Sequence, residues 1–149
     1  IYGMFSSKYS PELIELSSVP SDDMPLIVPL ASAMSPEAQT NIAEFIRRDG
    51  KALFFGAFPE IDHDCDPCTI LYEALGSPKT SEPPACDRVF VVDGKRVFQL
   101  NACLSLAELP AGTEIIAESA GKGEIFGISG KLGKGSFIWC GFTFLMQLY

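Results

Sequence analysis

Three stretches near the end of the chain decide how the rest is read: Thr113-Glu-Ile-Ile-Ala-Glu-Ser119, Gly123-Glu-Ile-Phe-Gly-Ile-Ser129 and Gly133-Lys-Gly-Ser-Phe-Ile-Trp-Cys-Gly-Phe142. Each is an apolar run of strand length, and the last opens on a Gly-Lys-Gly turn. Gly121, Gly123, Gly127, Gly130, Gly133 and Gly135 fall in and between these runs. A phosphate cradle sets its glycines between a strand and a helix, with a following Lys-Ser/Thr or a G-x-G-x-x-G spacing. Here the glycines punctuate strands, so hairpin turns account for them. Upstream, Phe90-Val-Val-Asp-Gly-Lys-Arg-Val-Phe98 predicts a further hairpin, because Asp93-Gly94 supplies the positive φ angles of a two-residue turn. Leu109-Pro-Ala-Gly112 is the turn that leads into the closing strands.

The front half reads differently. Ile1 to Phe5 is a short first strand, Ser10-Pro11 opens a helix ahead of Glu12 to Leu16, and Val19 to Met24 is a loop. Pro25-Leu-Ile-Val-Pro-Leu30 is apolar throughout, the pattern of a parallel strand covered on both faces. Next comes a helix with Ser35 as N-cap, Pro36 in the first position and Glu37 at the positive end of the dipole. Ala38, Ile42, Phe45 and Ile46 supply an apolar face, Arg47 and Arg48 lie in the last turn, and Gly50 is placed to close the helix in a left-handed conformation. Lys51-Ala-Leu-Phe-Phe-Gly56 follows as a second buried strand. Phe58 to Pro67 is an acidic loop, Asp66-Pro67 starts a short helix through Ala74 that Leu75 ends, and Ser77 to Ala85 is a connector rich in Pro and Ser. The fold class is α/β, with a parallel front half and an antiparallel, β-rich C-terminal half.

Bulk composition narrows the functions. A chain of 149 residues with 47% hydrophobic content and 11 Phe has ample core for one domain spanning 1–149 without disulfides or metal. The net charge is −8, from 11 basic and 19 acidic residues, and the sequence has no run of clustered Lys and Arg such as phosphate backbones require. Nucleic acid is therefore not an expected partner. No apolar stretch approaches the roughly 20 residues of a membrane span, since Met24 to Ala33 is short and carries two prolines. Cys65, Cys68, Cys86, Cys103 and Cys140 form an odd set without disulfide-framework spacing, which places the chain in a reducing, cytoplasmic setting. The chain opens on Ile1 inside a strand-like run, so we expect a piece of a larger protein.

The βαβ front, the Glu-Ile-Ile-Ala-Glu-Ser strand, the Gly-rich strand and the closing Gly133-Lys-Gly-Ser-Phe-Ile-Trp-Cys-Gly-Phe142 together resemble the glutamine-amidotransferase-like domain of some glycoside hydrolases. In β-galactosidases that domain is called the trimerisation domain. The resemblance covers most of residues 24 to 142, with Asp49-Gly50-Lys51 at the helix–strand junction and Phe58-Pro59, Asp62, Pro67-Cys68-Thr69 and Leu75-Gly76 matching further stretches. It implies a flavodoxin-like or class I glutamine-amidotransferase-like open sheet. It also implies a non-catalytic accessory domain that scaffolds contacts with other domains of the same chain or with further copies. The parent would be a β-galactosidase-like enzyme of carbohydrate metabolism, and the catalytic carboxylates and carbohydrate substrate would belong to a barrel outside this chain.

The residues themselves agree that chemistry is not expected here. An amidotransferase needs a nucleophilic Cys on a strand-to-helix elbow flanked by glycines, and a later His paired with a carboxylate. Cys140 has Gly141 after it but Ile138 where the other glycine belongs, and the lone histidine, His63, precedes every cysteine. Glu60-Ile-Asp-His-Asp-Cys-Asp-Pro-Cys68 holds one C-x-x-C, without the second ligand pair a zinc site takes, so neither metal nor cofactor is expected. Cys68 instead belongs with Leu71 and Leu75 on the inner face of the short helix. The loop follows a strand at its carboxyl end, where open α/β sheets place ligands, so Glu60, Asp62, His63 and Asp64 are the candidates for a ligand or interface loop. Two alternatives stand beside the accessory domain. One is a stand-alone thiol enzyme using Cys65 or Cys68, and the other is a flavodoxin-like module that binds a small ligand at this loop.

Overall fold

A computed structural model describes residues 14–21, 24–30, 32–81, 89–92, 95–98, 104–119 and 123–141. The expected strand Ile1–Phe5, the start of the helix at Ser10-Pro11, the Asp93-Gly94 turn and Phe142 at the end of the closing run lie outside these residues. Ile14 to Leu16, the described end of that helix, is not helical.

Nine strands among the described residues form one sheet: β1 (Leu26–Leu30), β2 (Lys51–Gly56), β3 (Thr80–Ser81), β4 (Val89–Val92), β5 (Lys95–Phe98), β6 (Ser105–Leu106), β7 (Glu114–Ser119), β8 (Ile125–Leu132) and β9 (Gly135–Cys140). Along the sheet the order is β1-β2-β9-β8-β7-β4-β5, with β6 joining β3 to β8. β1 and β2 are parallel, as the strand–helix–strand reading requires. β4–β5 and β7–β8–β9 are antiparallel, as the closing hairpins require. The placement of β9 departs from the expectation of an antiparallel back half. This last strand returns to the middle of the sheet and lies parallel to β2, with Lys51 opposite Ser136 and Phe54 opposite Trp139. Long-range pairing of this kind leaves no local trace in the sequence.

Helix α1 (Pro36–Arg48) forms where its signals put it. Ser35 Oγ accepts the N–H of Ala38 at 3.2 Å, which satisfies one of the N-terminal donors a helix leaves open. Gln39, Ile42, Ala43, Phe45 and Ile46 are its buried residues, while Ala38 is only half-buried. Gly50 works differently from expectation. It does not adopt positive φ, and its role is close approach: a Cβ there would stand 2.6 Å from Phe45 O and Phe45 Cδ1.

β1 also departs from the reading of a strand covered on both faces. Its residues alternate, with Leu26, Val28 and Leu30 buried and Ile27 and Pro29 exposed. Its only partner among the described strands is β2, and an edge position suits Pro29, which has no N–H to give to a ladder. The core lies on the other face of the sheet. There Val28, Phe54, Phe137 and Trp139 pack with Ile128 of β8 against Ile42, Phe45 and Ile46 of α1 and Leu71 and Leu75 beyond it.

Helix α2 spans Ile70–Ala74 and begins later than Asp66-Pro67. Pro67 is engaged in an antiparallel bridge to Ile61, and the backbone of Asp66 is held by Asp62 on both sides, so the helical turn cannot start before Thr69. Thr69 then donates its hydroxyl to Glu73 Oε1 at 2.6 Å. Leu75 ends the helix, as expected. The connector after it contains β3, whose Ser81 hydroxyl lies 3.0 Å from that of Ser105 in β6. Two-residue strands have no periodicity to read.

Candidate functional site

The acidic loop leaves β2 at its carboxyl end and is held there by backbone pairing. Ala33 bridges Ile61 in parallel, extending the β1–β2 pair, and Ile61 bridges Pro67. Met34 N–H donates to Ile61 O at 3.0 Å, Glu60 N–H to Ser32 O at 3.1 Å and Cys68 N–H to Glu60 O at 2.8 Å. The loop is thus a small hairpin with residues 62–66 at its tip. Asp62 Oδ1 accepts the N–H groups of Asp64 at 2.9 Å and Asp66 at 3.0 Å, while Asp62 N–H donates to Asp66 O at 2.8 Å. This is the short-range bonding that makes Asp a turn residue. Cys65 completes the tip with a left-handed φ of 65°.

The four candidates therefore separate. Asp62 is half-buried and directed onto its own loop, whereas Glu60, His63 and Asp64 are exposed. His63 Nε2 lies 3.4 Å from Asp64 Oδ2, with the two side chains 70% and 74% exposed. Pairs this open to water contribute little. Replacing His63 by Ala should change the unfolding free energy by less than about 0.5 kcal/mol, while Asp62→Ala should cost about 1–2 kcal/mol through its two lost bonds. Urea melts of both variants check the contrast. A larger loss at His63 would mean that the loop carries a contact the geometry does not contain.

Beneath the loop lies a residue that the sequence reading passed over. Gln39, fully buried on α1, donates Nε2 to Met34 O at 2.9 Å and to Cys68 O at 3.1 Å. Its Oε1 accepts the N–H of Leu71 at 3.0 Å, which satisfies an open donor at the start of α2. One side chain so joins the ends of the loop to α1. The available signal was a glutamine on the buried face beside Ile42, Ala43 and Ile46. Gln39→Leu fills the space but leaves these groups unpaired, and should lower stability by about 2–3 kcal/mol. Chemical denaturation reads it, and a loss below 0.5 kcal/mol would contradict this role.

Aromatic packing supports the same end of the sheet. Trp139 of β9 is buried, its Nε1–H donates to Gly56 O at 2.9 Å, and it stacks on Phe58 with ring centroids 5.4 Å apart. Phe58 in turn meets Tyr72 of α2 edge-on at 6.2 Å. Gly56 is required here, because it adopts φ +96° and a Cβ would stand 2.9 Å from Leu30 O.

Three cysteines, Cys65, Cys68 and Cys140, fall among the described residues, and all three are free thiols. Cys65 is exposed at the loop tip and Cys68 is buried at its base, just before α2 rather than within it. Among the described residues, no three His, Cys, Asp or Glu side chains converge as a metal site. Burial pushes the Cys140 thiol up to about 11, the reverse of what an activated nucleophile needs. Because this folded value lies above the ordinary 9.0, the stability Cys140 contributes is complete below pH 9 and is lost as pH rises through 11. Iodoacetamide at pH 8 should label Cys65 in the native protein, and the half-buried Cys140 far more slowly until the protein unfolds. Peptide mapping reads each site, and rapid native labelling of Cys140 would contradict its burial.

A second charged surface lies at the other end of β2. Arg47, Arg48 and Lys51, near one another in sequence, are approached in the fold by Lys131 and Lys134, so that five of the 11 basic residues lie toward this end of the sheet. Lys51 and Lys131 both have Ser136 as their register partner, one on each side. Lys134, in the β8–β9 turn, donates its N–H to Arg47 O at 3.1 Å at the end of α1. All five side chains are exposed. Neither ion pair found among the described residues, His63–Asp64 or Lys79–Glu108, involves this cluster.

The same overall fold occurs in solved glycosidases. A β-galactosidase from the haloarchaeon Halorubrum lacusprofundi matches at 15% identity with a TM-score of 0.66, over 86% of this chain and 20% of its own. A catalytic mutant of Gan42B, a GH42 β-galactosidase from G. stearothermophilus, matches at 17% identity and TM-score 0.63, over 78% of this chain and 18% of its own. The β-galactosidase from Bacillus circulans sp. alkalophilus matches at 17% identity and TM-score 0.56, over 78% and 20%. At such identities the likeness is one of fold, and this chain spans about a fifth of each enzyme. No curated protein sequence matches the chain. Residues 7–108 match the family model described as GLMA-like, second domain. The chain belongs to this GLMA-like second-domain family.

Proposed function

We propose that this chain is a non-catalytic accessory domain of a β-galactosidase-like glycoside hydrolase, and that it holds domains or subunits of that enzyme in place. The observation that carries the reading is the family match over residues 7–108, together with a fold that makes up 18–20% of β-galactosidase chains. The parallel β1–β2–β9 core supports reading the sheet as a flavodoxin-like or amidotransferase-like open sheet. The raised Cys140 thiol and the surface His63–Asp64 pair fit a domain without thiol chemistry. In this reading the chain works in the cytoplasm as one domain over 1–149. Glu60, His63 and Asp64 then form an exposed contact loop, and Asp62 fixes its shape. No helix among the described residues is long and apolar enough to cross a membrane.

The test is to delete residues 26–141 from the natural chain that carries them. Loss of assembly, with glycosidase chemistry still present in the remainder or recoverable on adding the domain back, supports the reading. A remainder that assembles and turns over as the intact chain does would sink it.

A further inference from the structure

β2 runs from Lys51 at the basic end to Gly56, and then into the loop that carries Glu60, Asp62, Asp64 and Asp66. At about 3.3 Å per residue, a strand of this length separates the two ends by about 20 Å. That is roughly twice the screening length at physiological salt, so the two poles do not neutralise each other and each meets a partner as a separate field.

We propose that the basic end is a docking surface for an acidic protein face, and that this face is the 60–66 loop of a second copy of the chain. The inference rests on the accessory-domain reading and names the surface through which copies meet. Charge complementarity carries it. Lys51, Ser136 and Lys131 form one row across β2, β9 and β8 on the sheet face away from α1, while Arg47 and Arg48 end α1 on the opposite face and Lys134 lies in the β8–β9 turn at this same end. Cross-strand neighbours stand about 5 Å apart, so Lys51 and Lys131 stand about 10 Å apart on either side of Ser136. The acids nearest in sequence and register are Glu44, Asp49 and Glu114, fewer than the five cations.

The loop is suited to be the occupant. Its tip is pre-shaped by the Asp62 bonds and leaves Glu60, Asp64 and Asp66 exposed, so little ordering is lost on contact. Copies of a chain with net charge −8 repel each other in most orientations. Pairing the basic end of one with the acidic loop of the next is the orientation that converts repulsion to attraction. Such a contact is heterologous, since each copy uses two different surfaces, and it closes a ring or extends. Exposed ion pairs are individually weak, so the contact sets orientation and association rate on top of apolar contacts.

The experiment measures self-association of the full chain by sedimentation equilibrium between 50 and 500 mM NaCl. It is repeated with Arg48→Glu/Lys131→Glu/Lys134→Glu, with Glu60→Lys/Asp64→Lys, and with all five changes combined. Expected are a dissociation constant that rises with salt, a rise of about ten-fold or more for either set alone, and recovery when both sets are combined. The unmodified chain's salt dependence keeps the proposal testable if a variant does not fold. A monomer at every salt concentration overturns it. So does an effect confined to the basic set, which would mean that some other acidic surface or polyanion is the occupant. An assembly indifferent to salt and to both sets overturns this contact while leaving the accessory-domain reading intact.

Discussion

Gly135→Ala should abolish the native fold, with a loss of more than about 4 kcal/mol. The Gly133-Lys-Gly135 sequence forms the β8–β9 turn and presses it onto the end of α1. A Cβ on Gly135 would fall inside contact distance of Ile46 O and Gly50 O, both backbone atoms. Neither can retreat, because Lys134 N–H donates to Arg47 O and Ser136 N–H to Gly50 O, each at 3.1 Å. The turn thus supplies donors to carbonyls at a helix C-terminus, which otherwise lack intrahelical partners. Gly133 contributes a φ of +63°, and a Cβ there would stand 2.6 Å from Arg47 O. Far-ultraviolet circular dichroism and urea melts test the expectation. A Gly135→Ala chain within 1 kcal/mol of the parent would show that the turn does not dock as described.

Trp139→Ala should cost about 3–5 kcal/mol, the usual range for emptying a buried large aromatic site. Trp139 sits in the central strand, has no exposure, stacks on Phe58 and bonds to Gly56 O. Trp139→Phe keeps most of the ring packing and leaves that carbonyl unpaired, so about 1–2 kcal/mol should be lost. A Phe variant as unstable as the Ala variant would assign the stability to the hydrogen bond instead of the packing. The effect should reach the acidic loop through Phe58 and Tyr72, and faster amide exchange at residues 60–66 would record it.

How much of this was legible depended on how local each signal is. The α1 cap at Ser35, Pro36 in the first turn and the buried face were readable because all act within four residues. The closing hairpins were readable because turn chemistry is local too. Gly50 was assigned the right role at the helix end by the wrong means, since proximity of Phe45 and left-handed backbone select the same residue. The start of α2 was misplaced because Asp62, four residues upstream, captured the Asp66 backbone. β1 was misjudged because apolar content alone does not separate a covered strand from an edge strand. The return of β9 beside β2, the approach of Lys131 and Lys134 to the 47–51 segment and the Gln39 junction all arise from contacts distant in sequence. The candidate loop was found by its position after a strand, and Asp62's part in shaping it became visible only with the backbone in place.

The most direct test of the central claim is hydrolysis of an aryl β-galactoside, measured in parallel for the natural chain and for the isolated 149-residue chain. The account predicts turnover by the natural chain, none by residues 1–149 alone, and no effect of Cys65→Ser in either. Turnover by the isolated chain that disappears on Cys65→Ser would contradict it and make this domain a thiol enzyme.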